Sequence, residues 1–314
     1  MSINNFQHQS VLLEQTVTHL PSCEDGVYLD CTLGGGGHSL EILKQKGACS
    51  IVIGIDRDPN AIQAASEKLK SYENRFVPIH GRFSRLEELI QSLESNRSIN
   101  KDTILFTGII MDLGVSSPQI DQANRGFSFQ KDGPVDMRMN PNQELTASKW
   151  LEEQTERSLA DQLFHYGEEP RSRQIARAIV RGNPWNSTLK LAECIRASSG
   201  YKNSRSDPAA RSFQAIRIAV NEELKELRLG VQSAIKRLKP GGRLAVISFH
   251  SIEDRYIKQT FRAAAAIGTP KDAYGHPLDP AIGRLIKAKG FSGKEHDAEN
   301  PRARSARLRI LEKL

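Results

Sequence analysis

The stretch Tyr28-Leu29-Asp30-Cys31-Thr32-Leu33-Gly34-Gly35-Gly36-Gly37-His38 decides the fold of this chain. A short apolar run ends in an acid, four glycines follow, and a helical pattern begins at Ser39. Strand, glycine turn and helix form the opening unit of a doubly wound α/β sheet. Such a turn lets the backbone approach a ligand and aims the amides of a helix N-terminus at it. The stretch predicts a nucleotide-like cofactor without saying which one, and a plain strand–turn–helix connection in another α/β protein is the alternative.

The chain continues this alternation of strands and helices. Apolar runs predict further strands near residues 51–55, 76–80, 104–111 and 244–249, with a short closing strand near 308–311. We therefore expect a Rossmann-like, doubly wound and mainly parallel α/β sheet.

The alternation is interrupted after Asp112. Helical patterns without strand patterns follow near residues 145–153, 156–166, 171–181 and 188–198. This predicts a sheet domain formed by residues 1–117 and 207–314, with a helical subdomain, residues 118–206, inserted into it. A long helix is expected from Asp207 to about Leu238, with its apolar face on the sheet.

Two local patterns complete this outline. Ser84-Arg85-Leu86-Glu87 has the spacing of a capping box that starts a helix. Residues 268–300 are rich in Gly, Pro and Lys and lack periodicity, which predicts a surface loop.

The charges are divided unevenly along the chain. Residues 1–170 hold 15 Lys and Arg against 24 Asp and Glu, whereas residues 171–314 hold 29 against 13, so the two parts carry net charges of −9 and +16. A basic half favours a polyanionic partner such as nucleic acid, and ordinary solvated helix faces are the alternative.

Composition argues against several other classes of protein. With 38% hydrophobic and 26% charged residues, the chain can bury a core. No apolar run reaches the roughly 18 residues of a membrane helix, and the first residues lack the pattern of a signal peptide. The four cysteines form no CxxC pair, so neither a metal site nor a disulfide framework is expected, and the reducing cytoplasm is the simplest location.

Polar and aromatic residues follow the predicted strands at one edge of the sheet. Asp30 and Asp112 end two strands, Asp56 ends another at the position where an acid binds ribose hydroxyls, and Phe83 follows the third. NAD enzymes and S-adenosylmethionine enzymes share this layout. Singly, each acid could be only a helix cap and Phe83 a core residue, but together they fit one crevice.

The chain resembles the bacterial ribosomal RNA small-subunit methyltransferase H family, also called MraW. The resemblance covers nearly the whole chain, and its most specific part is the long string from Asp112 to Met139. The other segments are His8–Leu13, Asp30–His38, Ile55–Asp58, Tyr166–Glu169, Ile175–Ile179, Phe213–Arg217, Ile247–Ser251 and Asn300–Ser305.

The resemblance implies an S-adenosylmethionine-dependent enzyme that methylates the N4 amine of a cytidine in 16S rRNA, in the decoding region. The implied partner is 16S rRNA or the small ribosomal subunit, without metal or membrane, and a homodimer is left open. The implied cofactor contacts are Gly36, Gly37, His38, Asp56, Phe83, Asp112 and Gln119.

The loop from Asp112 to Ser117 is expected to accept hydrogen bonds from the target amine. The candidate acceptors are the Asp112 carboxylate, the Ser116 and Ser117 hydroxyls and the loop carbonyls. The target base must leave its stack, and Phe127 or Phe129 could then stack on it, unless both are core residues. His250 could face the same crevice, but a structural histidine is favoured.

RNA contacts are expected in the basic half of the chain. Residues 171–217 hold ten Lys and Arg against two acids. The candidate RNA-binding residues are Arg171, Arg173, Arg177, Arg211, Arg217, Arg302 and Arg304.

Three other functions are weaker alternatives. A DNA amino-methyltransferase usually carries a Pro-Pro-aromatic motif, which Ser117-Pro118-Gln119 lacks. A non-catalytic RNA-binding or assembly factor would not need the intact turn and Asp112. A dinucleotide oxidoreductase would need a hydride-transfer site, for which the sequence offers no candidate.

Overall fold

The computed structural model describes residues 10–96, 103–200, 207–270, 272, 274–275 and 277–314. The chain divides into two compact units. The sheet unit comprises Met1–Gly114 and Lys225–Leu314, and the helical unit comprises Val115–Leu224. The sequence pattern had put the second boundary at residue 207, and in the structure it follows Leu224.

Eight strands lie within the described residues of the sheet unit. They are β1 (Val27–Asp30), β2 (Ile51–Asp56), β3 (Phe76–His80), β4 (Phe106–Asp112), β5 (Leu238–Ser248), β6 (Gly283–Leu285), β7 (Phe291–Ser292) and β8 (Arg307–Lys313). Their order across the sheet is β3-β2-β1-β4-β5-β8-β6, and β7 also pairs with β8. Strands β1 to β5 pair in parallel, and β8 is antiparallel to its neighbours. The predicted Rossmann-like, mainly parallel sheet is confirmed.

Helices cover both faces of this sheet and build the helical unit. They are α1 (Leu13–His19), α2 (Gly37–Gln45), α3 (Pro59–Lys68), α4 (Leu86–Ser95), α5 (Ser117–Asp121), α6 (Ala147–Glu152), α7 (Glu156–Gly167), α8 (Ser172–Gly182), α9 (Thr188–Ser199), α10 (Ala209–Asn221), α11 (Glu223–Arg237), α12 (Ser251–Ala264) and α13 (Gly293–His296). Helices α4, α11 and α12 pack in one apolar core of the sheet unit, and α1, α2 and α3 pack in the other.

The central strands are buried on both faces because successive side chains enter opposite cores. In β1, Val27 and Leu29 belong to one core and Tyr28 to the other. In β2, Ile53 and Val52 are divided in the same way. This explains why these strands read as continuous apolar runs in the sequence.

The helical unit has an apolar core of its own, formed mainly by α6 to α10. Asn221, at the end of α10, is fully buried and ties this core to a loop. Its side chain accepts from the amide of Met139 at 2.8 Å and donates to the carbonyl of Met137 at 2.7 Å. The described residues of this unit contain no strand.

The long helix expected from Asp207 to Leu238 is two helices. Glu222 adopts a left-handed conformation with φ of 53° and separates α10 from α11. The apolar residues of α10, including Phe213 and Ile216, pack in the helical unit, whereas those of α11 pack on the sheet. The prediction that one continuous face covers the sheet was therefore wrong.

Two local predictions also need correction. Ser84 does not cap α4, since the N-cap residue is Arg85 and no side chain caps it. Residues 268–300 are not a featureless loop, because β6, β7 and α13 lie within them and the two strands pair with β8.

No helix within the described ranges has both the length and the apolar character that crossing a lipid bilayer requires.

Candidate active site

The glycine turn joins β1 to α2 through positions that exclude larger side chains. Gly36, the N-cap residue of α2, has φ of 71°, in the left-handed region that favours glycine. A Cβ atom at Gly37 would collide with the hydroxyl oxygen of Ser10. A Cβ atom at Gly35 would meet nothing within 4 Å. The turn is thus closed by Ser10 at Gly37 and open at Gly35, where a ligand can approach the backbone.

Asp56 fixes the conformation of this turn. One carboxylate oxygen accepts from the amide of Gly34 at 2.8 Å, and the other accepts from the amide of Asp58 at 2.8 Å. Burial raises the pKa of Asp56 from its ordinary value, although these two hydrogen bonds oppose the shift. Asp56 therefore holds the turn in addition to its expected role toward a ribose, which its remaining lone pairs leave available.

Asp30 lies beneath the turn and is fully buried. Its carboxylate accepts from the amide of Thr32 at 3.2 Å and from the hydroxyl of Ser39 at 2.8 Å. Burial raises its pKa to about 6, against the effect of both hydrogen bonds. Ionisation of Asp30 therefore costs free energy in the folded protein, yet the protein keeps a carboxyl group at this position.

Asp112, at the end of β4, is bound to the turn through its backbone and leaves part of its side chain uncommitted. Its amide donates to the Thr32 hydroxyl at 2.6 Å. Oδ2 lies 3.9 Å from Nδ1 of His38, whereas Oδ1 is buried and has no hydrogen-bond partner among the described residues. Burial, followed by the charges of Asp30 and Glu253, raises the pKa of Asp112 well above its usual range. In its ionised form, the Asp112 carboxylate is a strong hydrogen-bond acceptor, and its Oδ1 atom lacks a donor among the described residues.

His38 lies between Asp112 and the N-terminal segment. Its Nε2 lies 3.2 Å from the carbonyl oxygen of Val11, which makes this nitrogen the donor. The amide of Leu12 in turn donates to a carboxylate oxygen of Asp297 at 2.8 Å. The contact of Val11 with His38 and the contact of Leu12 with Asp297 therefore hold this segment beside the glycine turn.

Phe83 follows β3 and is positioned by α11. Its ring packs so closely against Gly230 that a Cβ atom there would collide with it. The neighbouring Ser84 donates through its hydroxyl to Glu226 at 2.9 Å, and Arg82 lies 3.4 Å from the same carboxylate. Glu226 is buried, so this contact is well shielded from solvent. Glu226 and Gly230 lie four residues apart on one face of α11, and together they fix the position of the Phe83 ring.

The sequence missed several of these contacts. Ser10 and Thr32 lie inside motif segments but were given no role there, and Ser39, Glu226 and Gly230 lie outside the motif segments. A hydroxyl group near a glycine turn is a weak signal by itself. Glu226 and Gly230 lie on a helix far along the chain, and only tertiary packing brings them to Phe83.

In the helical unit, the predicted loop residues form a reciprocal helix cap. Gln119 accepts from the amide of Ser116 at 3.0 Å in a capping box at the start of α5. Ser117 and Gln119 are both buried. The cap therefore orders the loop that the sequence assigned to the target amine.

The two phenylalanines expected near a target base are partly buried on the core of the helical unit. Phe129 makes an edge-to-face contact with Phe213, with ring centroids 4.7 Å apart, and the guanidinium of Arg196 lies 5.4 Å from its centroid. Phe127 lies 5.9 Å from the guanidinium of Arg125. Both rings therefore stay candidates for stacking on a target base.

The candidate RNA-binding arginines differ in their surroundings. Arg217 forms a paired contact with Glu223 at 2.8 Å, and Arg171 donates to the carbonyl of Ser199. Both contacts stabilise the helical unit. Arg173, Arg177, Arg211, Arg302 and Arg304 have exposed side chains.

Arg173 and Arg177 belong to an exposed row on α8 that Arg181 extends at four-residue spacing. Glu156 lies 3.5 Å from Arg177 and 3.2 Å from Arg181, so one acid faces two arginines. We call these three arginines the α8 arginine row. Its net charge is positive, as a phosphate-binding face requires.

The described part of the chain contains no group of three or more His, Cys, Asp and Glu side chains arranged to hold a metal ion.

Together, the sheet unit and its site define a Rossmann-like cofactor-binding unit, in which adjacent strands end in acids beside a glycine turn. Residues 5–314 match the model of the MraW methylase family, and the chain therefore belongs to that family. Its cofactor is S-adenosylmethionine.

Solved structures with a similar fold are distant in sequence. A candidate rRNA methylase from Clostridium thermocellum is 10% identical, with 98% of this chain and 99% of that chain covered and a TM-score of 0.45. An rRNA methylase from Streptococcus thermophilus is 12% identical, with 96% and 93% covered and a TM-score of 0.40. A candidate methyltransferase from Streptococcus mutans in complex with SAH is 11% identical, with 96% and 95% covered and a TM-score of 0.41. The family match carries the assignment.

The residues present fit this cofactor. S-adenosylmethionine carries positive charge on its sulfonium and its ammonium, and the buried Asp112 oxygen is an acceptor without a donor. The space beside Gly35 allows a ligand to contact the backbone of the turn. Phe83 offers an aromatic ring at the same edge of the sheet, as expected for a group that packs against an adenine.

Replacing Asp30 by Asn should stabilise the protein in a pH-dependent way. The folded protein keeps the Asp30 proton up to about pH 6, whereas the ordinary pKa is 3.8. As the pH rises between these values, the unfolded chain releases the proton first and is favoured. Asp30→Asn should therefore raise the free energy of unfolding by up to about 3 kcal/mol near pH 8 and by less near pH 5, as measured by urea denaturation.

Ser39→Ala is the matched control for this experiment. It keeps the carboxyl group and removes a donor to its ionised form, so it should lower stability near pH 8. An equal gain for Asp30→Asn at both pH values would contradict the role given to its ionisation.

Disturbing the contact between α11 and Phe83 should weaken cofactor binding. Gly230→Ala would displace the ring, and Glu226→Ala would release the loop that carries it. We expect the dissociation constant for S-adenosylmethionine, measured by calorimetry, to rise about tenfold in each case, the equivalent of about 1.4 kcal/mol. Gln232→Ala, an exposed substitution on the same helix, should leave the constant unchanged. Unchanged binding in both variants would exclude Phe83 from the cofactor site.

Proposed function

We propose that this protein transfers the methyl group of S-adenosylmethionine to the exocyclic N4 amine of a specific cytidine in 16S rRNA of the small ribosomal subunit. Family membership supports methyl transfer. Two of the similar structures carry names that mention rRNA methylation, which agrees with this substrate class. The string from Asp112 to Met139 resembles the family that acts on this amine.

The observation that carries the proposed chemistry is the free oxygen of Asp112. A cytosine amine is a poor nucleophile because its lone pair is delocalised into the ring. An acceptor for an N–H hydrogen bond favours the tetrahedral nitrogen that forms during attack. Asp112 Oδ1 is a buried acceptor without a partner among the described residues, at the edge of the sheet where the glycine turn lies.

The other site residues of the sheet unit would bind and orient the cofactor. When bound, S-adenosylmethionine supplies a methyl group on a sulfonium, which leaves readily. The glycine turn and Asp56 would hold the cofactor, and the Phe83 ring would offer an aromatic surface for its adenine. Alignment of the amine with the methyl group can itself supply several kcal/mol.

The helical unit provides the proposed RNA contacts. The α8 arginine row presents positive charge to solvent at regular spacing, and arginine suits phosphate oxygens. Phe127 or Phe129 is the proposed stacking residue for a target base that leaves its helix. Arg211, Arg302 and Arg304 add exposed positive charge.

Mass mapping of methylated nucleosides tests the proposed reaction. Ribosomal RNA from cells without this protein should lack one N4-methylated cytidine, and the purified protein should restore it. Asp112→Ala should bind RNA normally and lose at least about 100-fold in methyl transfer. Asp279→Ala, an exposed acid, serves as the control. An unchanged set of methylated cytidines would rule out the proposed target, and full activity of Asp112→Ala would rule out the role of the acid.

Neutralising the α8 arginine row should reduce the salt dependence of RNA binding. The triple variant Arg173→Ser, Arg177→Ser, Arg181→Ser should lower the slope of log affinity against log salt by about 2, from about 0.7 for each single-strand phosphate contact. The control triple Lys44→Ser, Lys68→Ser, Lys70→Ser removes the same charge from the sheet unit. Equal losses in the two triples would indicate a general charge effect and no specific role for α8.

A further inference from the structure

We propose that His250 takes up the proton that the target amine loses on methylation, and that Glu253 holds the imidazole for this role. The inference rests on the proposed function, because it adds a residue to that reaction. It is carried by the position of His250, by the burial of its ring nitrogens and by the carboxylate beside it.

His250 follows β5 at the edge of the sheet where Asp112 ends β4. The two strands are parallel neighbours, with Ile247 opposite Asp112. Beyond the strands, a Cβ atom at Gly114 would be 3.5 Å from the ring of Phe249. The segments that lead away from β4 and β5 therefore run side by side, and His250 is the next residue after Phe249.

One nitrogen of the His250 imidazole is buried without a partner. The side chain is 10% exposed, Nε2 lies 3.1 Å from Oε1 of Glu253, and Nδ1 has no hydrogen-bond partner in the part of the chain that the structure describes. A buried polar atom without a partner costs free energy, so the retention of Nδ1 at this position calls for a functional reason.

Glu253 is placed to stabilise the protonated ring. Its Oε1 lies 3.1 Å from Nε2 of His250, and its Oε2 accepts from the amide of Phe249 at 3.0 Å. The positive end of the α12 dipole disfavours a cation at the N-cap position that His250 occupies. The buried carboxylate offsets this effect, and Nδ1 is left as the nitrogen that can take a proton.

The charged groups around this position come from several elements. Glu253 raises the pKa of Asp112, so both carboxylates lie in one electrostatic environment. His38 of α2 lies 3.9 Å from Asp112. Asp254 of α12 is engaged by Arg309 of β8 at 2.7 Å. Among these groups, Glu253 is the carboxylate that contacts the imidazole.

The proposed step is balanced without a further reactant. The lone pair of the amine nitrogen forms the N–CH3 bond while the S–CH3 bond breaks, and the electron pair of that bond stays on sulfur. The methylated nitrogen is then cationic and loses one N–H proton to Nδ1 of His250. Asp112 accepts a hydrogen bond from the amine throughout. The products are a neutral methylated base and an imidazolium beside Glu253.

Single-turnover methyl transfer to small ribosomal subunits from cells without this protein tests the inference. His250→Ala should slow the reaction about 100-fold, the lower range for a general base, with cofactor affinity within twofold of wild type. His250→Ala should regain rate when imidazole is added to the reaction. The exposed His165→Ala is the control.

Two further variants keep the test decisive if His250→Ala fails to bind the cofactor. His250→Gln should be equally slow. Glu253→Gln should slow the reaction because the imidazolium loses its carboxylate partner, and it should add no further slowing in the His250→Gln background. Rates within threefold of wild type, or a slow His250→Ala variant without rescue by imidazole, would overturn the inference. A wild-type protein that methylates no cytidine N4 would overturn the proposed function instead.

Discussion

The carboxylate of Asp56 is the contact on which the cofactor site depends. By accepting from the amides of Gly34 and Asp58, it joins the glycine turn to the start of α3. Both donors are backbone amides that would otherwise be unpaired at turns, so loss of the carboxylate would free two loops at once. The position of the turn then determines where His38 and the Thr32 hydroxyl lie, and these in turn contact Asp112. One acid thus organises the ends of three neighbouring strands.

The same edge of the sheet concentrates negative charge at the expense of stability. Asp30, Asp56 and Asp112 all have raised pKa values, with burial as the largest cause in each case. A fold selected for stability alone would replace such groups by neutral ones. Their presence is explained by a cationic ligand, because its charge compensates the ionised carboxylates and recovers the free energy that burial costs.

Local patterns in the sequence were sufficient to predict the strands, the glycine turn and the acids at the strand ends. These features depend on residues close in sequence, such as Gly36 in its left-handed conformation and the apolar run from Ile51 to Ile55. The break at Glu222 escaped detection because the three-four spacing of apolar residues continues through it. Glu226 and Gly230 escaped detection for another reason, since their importance comes from contact with a loop about 140 residues earlier, as the bond between Ser84 and Glu226 shows.

For His250, the sequence and the structure favour different roles. From the sequence, a histidine after a strand is better explained as a satisfied structural residue. The structure argues against that explanation, because Nδ1 is buried without a hydrogen-bond partner within the described residues and Nε2 faces the Glu253 carboxylate. In the sequence, Glu253 is an ordinary acid in the first turn of a helix. In the structure, its carboxylate accepts from the amide of Phe249 and also contacts the imidazole of His250. A residue that accepts the proton must be neutral before the reaction and cationic after it, and a buried ring with a carboxylate on one side and a free nitrogen on the other meets both requirements.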